Sequence, residues 1–479
     1  MSVRNSILVG FFAFVATSAW SNVFVHWTAS ALPPATELGV NDLVLSWNNG
    51  VLPQVKAARS QGYRVYVEVS PEQAAAAAET GASGLAGIIL TVHHSEEAEL
   101  EKSIPKLRSA YPKLRVLFLN PDGKPPEMRG SLVIKRGSVL EVSSPTAQPW
   151  IDTNLALVKI EQRSHPGQVP FYTFAWAGMS NSGQQQTALT AENYSLAVAE
   201  AGAFRADLIL ELDNRLQKGL TEYDQQAWRL WNQVLLYAKF YSHPSEAVLE
   251  ASASVAVVVG DLDTSDEVMN LLARHNIPFK VLRPPDLGST ELEGFDVVVV
   301  FANPDRAAGE RLGDLATQGK TVVLVEAHGS YPWQNGPSVR INEHAVSYGI
   351  GKGKVLELSE PVTDPETFAQ DIRRLLGTQN ALMSLWNALT TVAVPYHEHG
   401  GAVKELEFVN YAEEPLRLQV QVKGSFASIR YETPEHQCCE SLVPVKHNGF
   451  TEFVIPELRI AGRVHLEVSH GPDSQPSFR

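Results

Sequence analysis

The run Arg64-Val-Tyr-Val-Glu-Val-Ser70 is the stretch from which the fold can be read. Val65, Val67 and Val69 recur at the two-residue period of a strand with one buried face. An Ala-rich stretch, Pro71–Thr80, follows, and then a second apolar run, Gly87–Val92. Strand, helix and strand in close succession predict parallel pairing with the helix packed outside. The pattern extends in both directions. Val23–Trp27 and Leu43–Trp47 precede it, and Arg115–Asn120, Ser138–Ser143, Pro170–Trp176 and Ala206–Leu212 follow. Helical stretches at Val51–Gln61, Glu96–Ser109, Trp150–Arg163 and Asn193–Ala203 lie between them, and Thr221–Phe240 closes the series. Eight such units over 22–245 predict an α/β fold, a (β/α)8 TIM-like barrel. Asp122–Gly137 carries no helical pattern and reads as an elaborated loop with a short strand at Ser131–Ile134.

Beyond His243-Pro244-Ser245 the pattern opens out. Over 252–376, strands at Val255–Gly260, Pro278–Leu282, Phe295–Phe301 and Thr321–Glu326 alternate with helices at Asp266–His275 and Ala307–Gln318. That order predicts a flavodoxin-like doubly wound module. Gly349-Ile-Gly-Lys-Gly353 leads into a strand and not a helix, so it reads as a turn and not a phosphate loop. From 393 to 470 the runs Lys404–Val409, Leu416–Val422, Phe426–Tyr431, Phe450–Ile455 and Arg463–Val468 predict a small antiparallel β-sandwich.

Composition narrows the function classes. Asp plus Glu number 53 against 39 Lys plus Arg, a net charge of −14 that repels a phosphate backbone and argues against nucleic acid as a partner. The two cysteines, Cys438 and Cys439, are adjacent and poorly placed for a disulfide. Residues 1–21 read as a signal peptide: Arg4, an apolar run from Ile7 to Ala16, and small residues at Ala19 and Ser21. The mature chain is expected to be secreted or periplasmic, with no membrane association after cleavage.

The three-part order resembles the family 42 β-galactosidases and their relatives: a barrel, a trimerisation domain similar to glutamine amidotransferases, and a C-terminal β-domain. The residues that carry the likeness are Phe295-Asp-Val-Val-Val-Val-Phe301, Lys320-Thr-Val-Val-Leu-Val325 and Leu406-Glu-Phe-Val-Asn-Tyr-Ala-Glu-Glu-Pro415. The resemblance implies a carbohydrate substrate and subunit contact through the middle module. Phe301 is followed by Ala302-Asn303-Pro304, without a nucleophile. The family's Asn-Glu pair on strand four and Glu on strand seven are also missing, since these runs end in Thr91-Val92-His93-His94 and Ala175-Trp176.

Strand parity supplies other candidates, because barrel enzymes react at the C-terminal ends of their strands. With the valines and leucines facing the helices, Glu68, Glu141, Glu211 and His26 face the barrel axis. Glu141 and Glu211 are read as a hydrolytic carboxylate pair, with Glu68 in reserve. Trp176 is the candidate for stacking on a sugar ring, and Asn120, Asp213 and His93 are candidates for binding hydroxyls. His26, His93, His94 and Asp213 could surround a cation, but the ligand spacing is poor and no metal or cofactor is expected. Two functions remain open: hydrolysis of an oligosaccharide, or glycan binding and assembly on a barrel that has lost catalysis.

Overall fold

The computed structural model describes residues 22–48, 50–81, 84–92, 97–129, 133–136, 139–142, 150–176, 188–242, 249–260, 265–398 and 401–468. The leader read at 1–21, His93, His94 and the polar tail after Ser469 lie outside them. Among the described residues no helix is long and apolar enough to cross a membrane.

Among the described residues the first unit is a parallel barrel of seven strands. In chain order they are Val23–His26, Asp42–Ser46, Arg64–Val69, Gly87–Thr91, Arg115–Leu119, Phe171–Tyr172 and Asp207–Glu211. The seventh pairs with both the sixth and the first. The ring closes between the fifth and sixth, where the Asn120 amide donates to the Phe171 carbonyl and the Thr173 amide donates to that of Asn120. Phe24, Val44, Tyr66, Ile89, Leu119, Phe171 and Ile209 fill the interior. Gly87 permits this packing: a Cβ there would lie 2.6 Å from the Arg115 carbonyl and 2.9 Å from the Tyr66 ring. Helices Leu52–Ser60, Ala74–Gly81, Glu97–Ala110, Leu155–Ser164, Ala191–Ala203 and Gln225–Ser242 belong to this unit.

The expectation of eight strands is corrected here. The run around Glu141 does form a strand, Val139–Val142, but it pairs antiparallel with Val133–Arg136 in a separate two-stranded sheet. A second antiparallel pair, Glu127–Arg129 with Trp150–Asp152, flanks it on both sides in the sequence. The main-chain bonds between Asn120 and residues 171–173 leave no edge for an extra strand.

The middle unit has strand order two-one-three-four-five in its parallel part. Phe279–Leu282, Val255–Val259, Val297–Phe301, Thr321–Leu324 and Gly353–Leu358 run side by side, extended by the antiparallel strands Ala345–Ile350 and Ser338–Arg340. Val255 and Val257 pack into one hydrophobic layer and Ala256 and Val258 into another, as both-face burial requires. Gly351 has φ 57° in the tight turn between the strands Ala345–Ile350 and Gly353–Leu358, so the glycine-rich segment is a hairpin turn.

The C-terminal sandwich has one sheet of Glu250–Ala251, Thr391–His397, Val403–Asn410, Ala461–Val468, Phe426–Thr433 and His436–Ser441. The other holds Met383–Trp386, Leu416–Lys423, Phe450–Leu458 and Val445–His447. It therefore begins about ten residues before the expected boundary and recruits a short strand from the linker that follows the barrel. Polar clasps join the three units. Arg163 pairs with Asp286, Arg205 with Glu405, and the Asn276 side chain bonds the backbone of Thr391 and Ala393.

Candidate active site

The barrel interior divides into three tiers along its axis. At the N-terminal end Arg64 pairs with Asp42, Arg115 donates to the Tyr66 hydroxyl at 3.0 Å, and Asp207 accepts from the Asn22 backbone at 2.7 Å. The apolar tier lies above. Four residues along from Arg64 and Asp207, at the C-terminal mouth, are Glu68 and Glu211, so side-chain alternation keeps both inside.

The mouth carries a continuous polar arc. Glu211 on the seventh strand is in register with His26 on the first. His26 Nε2 lies 3.0 Å from Ser46 Oγ on the second. Ser46 is in register with Glu68 on the third, and the Thr91 hydroxyl on the fourth donates to Glu68 Oε1 at 2.7 Å. Burial, and next the charge on Glu68, push the Glu211 carboxyl above its ordinary range. Burial pulls the His26 imidazole down, partly offset by Glu68, so the ring is neutral at neutral pH. No salt bridge to Glu68 or Glu211 occurs among the described residues; the Arg64 guanidinium is engaged with Asp42 at the other end. Among the described residues the mouth thus presents two carboxylates, one neutral imidazole and two hydroxyls, without a compensating cation.

Packing outside the barrel supports this arc. Trp176 Nε1 donates to the Glu211 carbonyl at 3.1 Å, and its ring meets Phe174 and Tyr194 edge-on. With only 5% of its surface exposed, Trp176 buttresses the strand end, and this corrects its reading as a sugar-stacking platform. Asn120 is also structural. Its backbone closes the barrel, and its amide donates to Glu161 at 2.6 Å. Asp213 caps the helix Asn214–Thr221 by accepting from the Leu216 amide, and its other oxygen accepts from the Tyr194 hydroxyl. Both corrections have one cause: a polar residue just past a strand end satisfies backbone donors before it is available to a ligand. Glu141 belongs to a two-stranded sheet outside the barrel sheet, and His93 falls outside the described residues. The sequence reading missed Ser46 and Thr91, although their parity with Val44 and Ile89 marks them as inward.

No set of three or more His, Cys, Asp or Glu suited to a metal occurs among the described residues. No family model matches the chain, and no curated protein does. Solved structures do. An α-L-fucosidase isoenzyme 2 from Paenibacillus thiaminolyticus superposes with TM-score 0.57 at 11% identity, covering 95% of this chain and 100% of that one. A β-galactosidase from Rahnella sp. R3 gives TM-score 0.48 at 9% identity, covering 88% of this chain and 95% of that one. The likeness to the fucosidase is one of fold, and the fold of this chain is a TIM-like barrel, an α/β module and a β-sandwich.

Proposed function

We propose that this chain is a glycoside hydrolase whose carboxylate pair is Glu211 and Glu68. The observation that carries the reading is the coupling of these two acids at the open end of the barrel, with unlike surroundings and no cation to neutralise them among the described residues. Glycoside hydrolysis needs one carboxyl that holds a proton and one that stays charged. Glu211, raised by burial and by its neighbour, is the proton donor to the glycosidic oxygen as the bond to the anomeric carbon breaks. Glu68, held by Thr91, supplies the negative charge facing the developing oxocarbenium centre, and water then adds to the anomeric carbon and returns a proton to Glu211. Neutral His26, with Ser46, offers hydrogen bonds to sugar hydroxyls. The shared fold of a fucosidase supports a sugar as the substrate class.

A panel of chromogenic fucosides, galactosides, mannosides and rhamnosides tests the reading, with Glu211→Gln and Glu68→Gln as controls. Turnover of one glycoside that falls in both variants is the expected result. Glycan binding without turnover would replace hydrolysis by a non-catalytic glycan-binding role.

We also infer export, on the strength of the charged end, apolar run and small-residue site at 1–21. N-terminal sequencing of the native protein should begin near Asn22. The middle module, which has no nucleophile after Phe301, is assigned to subunit contact. Light scattering of the whole chain should then report an oligomer; a monomer would remove that role.

A further inference from the structure

The three units meet around one buried amine. Lys159 projects from the barrel helix Leu155–Ser164 and is only 8% exposed. It borders a cavity of about 10 Å³, walled by Leu155 from the barrel, Ile277 and Phe279 from the middle unit, and Val394 and Pro395 from the sandwich. That is room for one water-sized species.

An ammonium has three donors and no acceptor, yet Lys159 makes no hydrogen bond or salt bridge among the described residues. Polar groups at the cavity are already engaged. The Asn276 amide donates to the Thr391 carbonyl and its oxygen accepts from the Ala393 amide, while Ser252 Oγ lies 3.0 Å from His397 Nδ1. The cations whose charge reaches Lys159, Lys280 and Arg205, are held by Glu291 and Glu405, so neither carboxylate is left for Lys159. Burial first, and then the charges on Lys280 and Arg205, bring Lys159 down to about 7. The cavity therefore has spare donors, a positive surround and no negative group of its own.

We propose that the Lys159 cavity binds one small monovalent anion, of the chloride class, which pins the barrel, the middle module and the sandwich together. The space beside Lys159 suits a monatomic ion. Its apolar walls disfavour multiply charged, strongly hydrated ions. A water molecule would find a donor here but few of the two to four partners that a buried water needs.

Bromide serves as the probe. Crystals of the full chain grown with bromide should show an anomalous peak in contact with Lys159 Nζ. Thermal unfolding in chloride and in gluconate at equal ionic strength should give a higher midpoint in chloride, by on the order of 2 °C. Lys159→Met should fold, because it replaces a buried amine by an apolar chain of similar length, and should erase the difference between the two salts. Absence of the peak overturns the proposal. So does a chloride effect that persists in Lys159→Met. A peak without salt-specific stabilisation marks an adventitious ion only and overturns it as well.

Discussion

The two ends of the barrel are built from the same strands, four residues apart, and they solve opposite problems. At the N-terminal end the acid Asp42 faces the cation Arg64, and Asp207 accepts two hydrogen bonds from Asn22. At the C-terminal end Glu68 and Glu211 share one arc with a neutral histidine and hydroxyls. At the closed end burial raises both acids, and the partners Arg64 and Asn22 offset only part of that cost. At the open end Glu211 has no cation beside it among the described residues, and burial and the charge on Glu68 resist its ionisation. That cost is tolerated where chemistry needs a carboxyl that keeps its proton. Charge alone does not separate a plug from a site; the disposition of cations along each strand does.

The largest expected effect lies at the mouth. Glu211→Gln and Glu68→Gln should each lower turnover of a cleaved glycoside by at least ~10²-fold, the usual scale for a lost acid or base. Thermal stability should hold or rise, because a repulsive pair is broken. The Glu68 variant has a second signature in its residual activity. Without the Glu68 charge the Glu211 carboxyl falls back toward its ordinary range, so the alkaline limb of the rate profile should move to lower pH. If both variants keep full rate, the two ends do not differ in the way argued.

Next comes the closed end. Arg64→Met strands the buried Asp42 and should reduce stability by about 2–3 kcal/mol, below the full cost of a broken buried pair because Arg64 is itself half exposed. Denaturant titration measures this, and kcat should be unchanged. Loss of rate without loss of stability would reverse the assignment of the two ends.

A pH series sharpens the same contrast. Burial lifts Asp207 to about 7, so the folded chain holds this proton more tightly than the unfolded chain, where an aspartate titrates near ~3.9. Its contribution to stability is complete below that value and is lost as pH rises through about 7. Wild type should therefore lose, relative to Asp207→Asn, on the order of 2 kcal/mol between roughly pH 4 and pH 8. Parallel stability curves for the two proteins would show that Asp207 is solvated in the folded state.

Much of this contrast could be read from the chain, and the exceptions share a physical origin. Alternation in Arg64–Val69 and Asp207–Glu211 placed Glu68 and Glu211 inside, because a two-residue period fixes a face once the apolar side is known. His26 followed by the same rule. The doubly wound order and the sandwich were legible from apolar runs and turn residues. Glu141 was misplaced because its run has the period of a strand, and a period does not say which strand it pairs with. The ring closes through main-chain bonds at Asn120, and main-chain bonds leave little mark on residue type. Position at strand ends makes Trp176, Asn120 and Asp213 read as ligand-facing in the sequence. Their polar atoms are instead consumed by local backbone and by neighbouring Glu161 and Tyr194. Ser46 and Thr91 escaped notice because small hydroxyl residues at strand ends carry no charge to draw attention.

Thr91 provides the smallest and most specific test. Its hydroxyl donates to Glu68 at 2.7 Å, and its Cβ lies on the barrel wall one strand away. Thr91→Val keeps the shape of the side chain and removes one donor to a carboxylate that still has water within reach at the mouth. A hydrogen bond to a charged group is worth roughly 1.5–3 kcal/mol when buried, and less where solvent can replace it. The expected outcome is a fall in kcat of about tenfold at most, with KM little changed, because the bond orients Glu68 and does not hold the sugar. Stability should move by less than about 1 kcal/mol, since Val fills the same space. Thr91→Ser restores the donor without the methyl group and should recover most of the rate. If valine lowers stability sharply and leaves kcat intact, the Thr91–Glu68 bond belongs to the structural plug, and the division between the two ends of the barrel lies higher along the strands than the arc at the mouth indicates.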